Sequence, residues 1–316
     1  MGSSCTKYSN KIGGTNDLLN WSTIQPLYKY HWWPMRESPN PYYNNLYCDN
    51  GGLDKYDMLF GTNSKEYQKT HYFRDRNSNK SDAKWAGFCD KATTLSCLYQ
   101  YPKYVIKVKY NGQIIEFTPF DIEMLMIVAC DNAIKNNMSI FLGERNKSNN
   151  RKSNDSKSND SNEPYPSDLL SILKIICSIN EPFGMDIDNG VSVWNYAYNK
   201  VRVTLHTKCP LSHNKLKDGE TIYLNFIIGS TYYPEKTQSF WGYIHTKTIK
   251  SNMGYNRLKT EGWISEKHPD FVWKKFAKDT SWDGQCIINP EINAAYVYAI
   301  YTHSLDDNYH NILEII

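Results

Sequence analysis

The chain of 316 residues predicts an α+β fold, with helices early and an antiparallel sheet later. Three observations carry that prediction. The run TPFDIEMLMIVACDNAIKN, from Thr118, combines a capping sequence with a dense apolar stretch. Just before it, two alternating runs flank Asn111-Gly112, the pattern of a tight β-hairpin. Beyond residue 190, segments rich in Val, Ile, Tyr and Trp follow one another between polar breaks, which reads as a series of strands.

Taken in order, residues 1–25 predict a loose arm. Its first residues, MGSSCT, fit the myristoylation pattern at Gly2, and Cys5 would carry the second acyl chain that stable anchoring needs. An ordinary terminus or a vector leader reads the same way. From Pro26 to Lys80 the chain is rich in Tyr, Asn, Pro and Gly, which predicts loops and short pieces over a core. A helix is expected from about Phe88 to Tyr101, with Ala92, Leu95, Cys97, Leu98 and Tyr99 on its apolar face and Pro102 ending it. The hairpin YVIKVKYNGQIIEF follows, because Asn-Gly favours positive φ at both turn positions.

The next helix has Thr118 as N-cap, Pro119 at its first position and Asp121 as the capping-box partner. Residues 146–162, NKSNNRKSNDSKSNDSN, are a low-complexity polar insert that cannot bury enough apolar area to offset ordering. SVWNYAY, VRVTLHT, TIYLNFIIG, FWGYIHTKTI and AAYVYAIYTH are then expected as strands. Residues 26–316 are thus read as one domain carrying that insert.

Composition sets limits on function. A formal charge of +3, with no long Lys/Arg run, argues against nucleic acid as partner. The eight cysteines are dispersed without a CxxC pair and no secretory signal precedes them, which predicts reduced thiols and a cytoplasmic location. His206, Cys209 and His213 lack a nearby fourth ligand, so no metal site is assigned.

Cys89 raises the chemical question. A thiol reacts as thiolate, and a helix N-terminus favours the anion through its unpaired N–H groups and its dipole. A cysteine at a helix start, backed by a histidine base and a carboxylate, is the papain-type layout. Gly87 allows close backbone approach, and Trp85 can shield the site. A structural, buried thiol is the competing reading.

Several stretches in order resemble the transglutaminase elicitor family of papain-like cysteine acyltransferases. They are HWWP (31–34), KYDMLFG (55–61), WAGFCDKAT (85–93), FTPFDIEML (117–125), SVWNYAY (192–198), EGWISEKHPDFVW (261–273) and NPEI (289–292). The resemblance implies a nucleophile, Cys89, at the start of a central helix packed on an antiparallel sheet. It also implies a thioester intermediate, a glutamine-containing protein as acyl donor, and lysine or a polyamine as acceptor. The family's acid falls on Asp186, with Asp188 as a neighbouring alternative.

Where the family has its histidine, laying Pro166 on the family's proline places Leu170. That leaves His206 and His245, both in expected strands, as candidate bases, while His268 in the HPDFVW stretch reads as structural. Some members use calcium, although the chain has no D-x-D-x-D-G loop. The alternatives are a papain-like peptidase or amidase, or an inactive relative binding a partner at a membrane surface.

Overall fold

The structure is a computed structural model. It describes residues 16–24, 27–36, 46–74, 86–134, 140–143, 163–187, 194–208, 216, 218–251, 254–276, 281–307 and 312–316. These residues form an α+β protein with largely antiparallel sheets, divided into two compact units.

The first unit takes its described residues from 1–25, 140–191 and 197–274. Its main sheet has the order β1-β7-β8-β9-β10, with β1 at Asn16–Ser22, β7 at Lys200–His206, β8 at Glu220–Gly229, β9 at Gln238–Ser251 and β10 at Gly254–Trp263. All four pairings are antiparallel. Val201, Val203, Leu224, Phe226 and Phe240 are buried along it. Residues 16–22, expected within a loose arm, instead form an edge strand. Asp17 accepts a hydrogen bond from Arg202 Nε at 3.0 Å, and Trp21 rests on Phe183.

A second sheet, β4-β11-β5-β6, joins Ile140–Gly143, Phe271–Lys274, Phe183–Asp186 and Asn195–Tyr198 in that order. The helix α5, Pro166–Ile179, opens with proline at its first turn and ends at Asn180 in the left-handed conformation, φ 61°. Leu169, Leu173 and Ile176 form its buried stripe.

The second unit takes its described residues from 26–139, 192–196 and 275–316. Its helices are α1 (Gly52–Phe60), α2 (Ser64–Tyr72), α3 (Cys89–Leu98), α4 (Pro119–Ile134) and α6 (Ala294–His303). With them is a three-stranded sheet in which β2 (Ile106–Tyr110) lies between β3 (Gln113–Phe117) and β12 (Leu313–Glu314). Leu53, Leu95, Ile122, Leu125, Val297 and Ile300 are buried in one core.

Two sequence expectations hold at atomic detail. Asn111 (φ 47°) and Gly112 (φ 82°) both take positive φ in the β2–β3 hairpin. At the start of α4, Thr118 Oγ1 accepts from the Asp121 amide at 3.2 Å and Asp121 Oδ2 accepts from the Thr118 amide at 2.8 Å.

Two others need correction. The span 26–80, expected as loops and short pieces over a core, holds two helices of nine residues each among its described residues. The first stops at Gly61, φ 69°. The second begins where Asp57, from the preceding helix, accepts hydrogen bonds from the amides of Ser64 and Lys65.

AAYVYAIYTH, expected as a strand, is α6. Asn293 caps it, its Oδ1 accepting from the amides of Ala295 and Tyr296, and Ala294, Val297, Ile300 and Tyr301 are buried at helical spacing. Aromatic and β-branched content imitated a strand there, while cap and tertiary packing decided the helix.

Candidate functional site

Cys89 is the first residue of α3 and is 8% exposed. Phe88 precedes it with no side-chain cap on the first turn, so the positive end of the helix dipole lies at the thiol. The chain reaches this point along a fixed path. Pro34 bridges Gly87, the Met35 amide donates to Ala86 O, and the Phe88 amide donates to the carbonyls of Trp32 and Trp33, each at 3.0 Å. The HWWP segment therefore runs beside the approach to Cys89.

Gly87 acts here by close packing, since a Cβ would run into the Trp32 ring. The Phe88 N–H, in turn, is engaged with backbone carbonyls. Trp85 lies outside the described residues, as do Gly2, Cys5, Asp188, Cys209, His213 and the insert at 146–162.

The residue that meets Cys89 is one the sequence reading quoted only within a stretch. Asn195 Nδ2 donates to Cys89 Sγ at 3.4 Å. Its carbonyl accepts from Thr93 Oγ1 at 3.1 Å and Tyr30 Oη at 3.0 Å, and these two hydroxyls are 2.8 Å apart. Thr93 lies one turn along α3 from Cys89, so helix, Tyr30 and Asn195 are tied into one cluster. Trp194 adds a ring contact with Trp32 at 5.6 Å.

The remaining expected residues are in the first unit. Asp186 ends β5, fully buried, with its carbonyl accepting from the Asp270 amide at 3.0 Å. His206 ends β7, with Nε2 2.8 Å from Thr204 Oγ1 and its ring against Trp241. His245 is buried in β9, with Nδ1 2.8 Å from Thr221 Oγ1. Both candidate bases thus have hydrogen-bonding neighbours in their own sheet.

Leu170 lies half-buried on α5. His268, read as structural, stacks on Trp263 and contacts Glu163 at 3.0 Å. Among the described residues no group of three or more His, Cys, Asp or Glu could hold a metal ion.

A buried carboxyl in α4 gave no sequence signal. Glu123 is 2% exposed, and burial pushes its pKa from the ordinary 4.5 up to about 8. The His31 amide, 3.4 Å from Oε1, and the Trp33 indole oppose that rise without overcoming it. The Tyr28 hydroxyl is itself held well above its ordinary pKa, first by burial and then by Glu123.

Comparison with protein-family models, with curated proteins and with solved structures finds no match to this chain. Among the described residues, no helix is long and apolar enough to cross a membrane.

Proposed function

We propose that the protein is a thiol acyltransferase of the transglutaminase-like kind, with Cys89 as nucleophile and glutamine carboxamides as acyl donors. The observation that carries this reading is a cysteine at the first residue of a helix with an amide donor, Asn195 Nδ2, 3.4 Å from its sulfur. The ordered resemblance to the transglutaminase elicitor family supports the substrate class and a papain-like arrangement.

In the reaction, sulfur bonds to the carboxamide carbon, the C–N bond breaks, and ammonia leaves carrying the thiol proton. An amine then attacks the thioester, and its proton returns to sulfur as the new amide forms. A competing reading, a non-enzymatic relative, is favoured by Leu170 standing where the resemblance expects the base.

Incorporation of a fluorescent amine into a glutamine-rich protein tests both. Wild type should label the acceptor and Cys89→Ala should not. Equal labelling by the two would remove the enzyme reading.

A further inference from the structure

We propose that Asn195 is the side-chain donor for the oxyanion that forms when Cys89 attacks an acyl carbon. This rests on the reading of Cys89 as nucleophile and adds a second working residue to the same site.

Three observations carry it. First, the geometry is suitable. When sulfur bonds to a carbonyl carbon, the C=O π pair moves to oxygen, and that oxygen sits one bond beyond the carbon. An N–H already in contact with the sulfur reaches it with little movement.

Second, among the described residues the Asn195 side chain has no competing bridging work. Two other buried asparagines show what such work looks like. Asn199 Nδ2 donates to Thr23 O and Thr231 Oγ1 while its Oδ1 accepts from the Thr231 amide. Asn289 Nδ2 donates to Ser64 O and Gln68 Oε1 while its Oδ1 accepts from the Glu291 amide. Asn195, only 4% exposed, directs Nδ2 at the sulfur and leaves Oδ1 buried with no hydrogen-bond partner among the described residues. An unmet buried acceptor is costly, and such costs are retained where a group serves chemistry.

Third, the main-chain donor that precedes the nucleophile is spent. The Phe88 amide, just before the nucleophile, donates to the Trp32 and Trp33 carbonyls.

Asn195 is also pre-positioned. Its main-chain carbonyl is held by Thr93 and Tyr30, so the carboxamide projects from a fixed point and needs little rearrangement as charge develops. As the oxyanion collapses, its pair re-forms the C=O bond and the leaving group departs with the proton. The Asn195 N–H then returns to sulfur. Substrates are therefore acyl compounds that pass through a tetrahedral anion: carboxamides, and activated esters as probes.

Two reagents separate this role from simple support of the thiolate. Iodoacetamide alkylates sulfur by displacement at a saturated carbon and forms no oxyanion. A p-nitrophenyl ester acylates sulfur through one.

In Asn195→Ala, acylation should fall about 10²–10³-fold while alkylation stays within about threefold of wild type. The main-chain bonds to Thr93 and Tyr30 survive that substitution, so thermal unfolding should track wild type. Asn195→Leu, closer in volume, should give the same split between the reagents. Equal losses in both reactions, or no loss of acylation, would overturn the oxyanion role while leaving Cys89 as nucleophile. An ester that acylates wild type and Cys89→Ala alike would overturn both.

Discussion

Replacing Glu123 by Gln should flatten the pH dependence of stability, and the size of the effect follows from where the carboxyl sits. It is buried against Trp33 and the His31 main chain, with its pKa raised from 4.5 to about 8. A raised acid pKa means the folded state binds more protons than the unfolded state between those values. Stability therefore falls as pH climbs through that window and levels off above it. At about 1.4 kcal/mol per pH unit, the gap amounts to about 5 kcal/mol in full and about 4 kcal/mol between pH 5 and pH 9.

Glutamine cannot ionise, and its Oε1 can still accept from the His31 amide. It adds an amide group needing partners, a cost of about 1–3 kcal/mol that does not vary with pH. Urea denaturation of both proteins at pH 5, 7 and 9 isolates the effect, because other titrating groups cancel in the difference. The variant should gain on wild type by about 4 kcal/mol from the lowest to the highest pH. Parallel pH profiles for the two proteins would show that this carboxyl ionises freely in the folded state.

Two further substitutions test the fold. Asn293→Ala removes the cap that the amides of Ala295 and Tyr296 use and should cost about 1 kcal/mol, with Asn293→Ser recovering most of it; equal midpoints in urea for all three would remove the cap from the account of α6. Gly184→Ala places a Cβ inside the Trp273 indole and should cost about 1–3 kcal/mol, whereas a variant that melts with wild type would contradict that packing.

Legibility in the sequence followed the range of the interactions involved. The β2–β3 hairpin and the capping box of α4 are local devices, and Asn111-Gly112 and Thr118/Asp121 announce them within a few residues. The start of α2 depends on Asp57 reaching forward from α1, beyond the window of an ordinary cap. In α6 the local signals conflicted, because Tyr, Val and Ile favour strands while Asn293 and the 3.6-residue spacing of buried positions favour a helix. The edge strand β1 is held by β7, nearly two hundred residues away, so seven residues in a polar arm gave no sign of it.

The same distinction governs the site. Cys89 could be singled out from its neighbours because a helix start modifies a thiol locally. Asn195 could not, since its importance is a contact across 106 residues, and asparagine in a strand-like run usually signals a turn or an edge.

Beside the nucleophile, Gly87 and Phe88 serve another purpose. Gly87 lets Trp32 approach, and the Phe88 amide fastens the HWWP segment to the start of α3. With the Phe88 amide committed to that segment, the side chain that donates at the sulfur is brought in from elsewhere, at Asn195. A side chain, unlike a main-chain amide, can be removed without breaking the path it hangs from. In this molecule Tyr30 and Thr93 hold that path through the Asn195 carbonyl. Positioning and chemistry thus reside on different atoms of one residue, and substitution at Asn195 can probe the second while leaving the first intact.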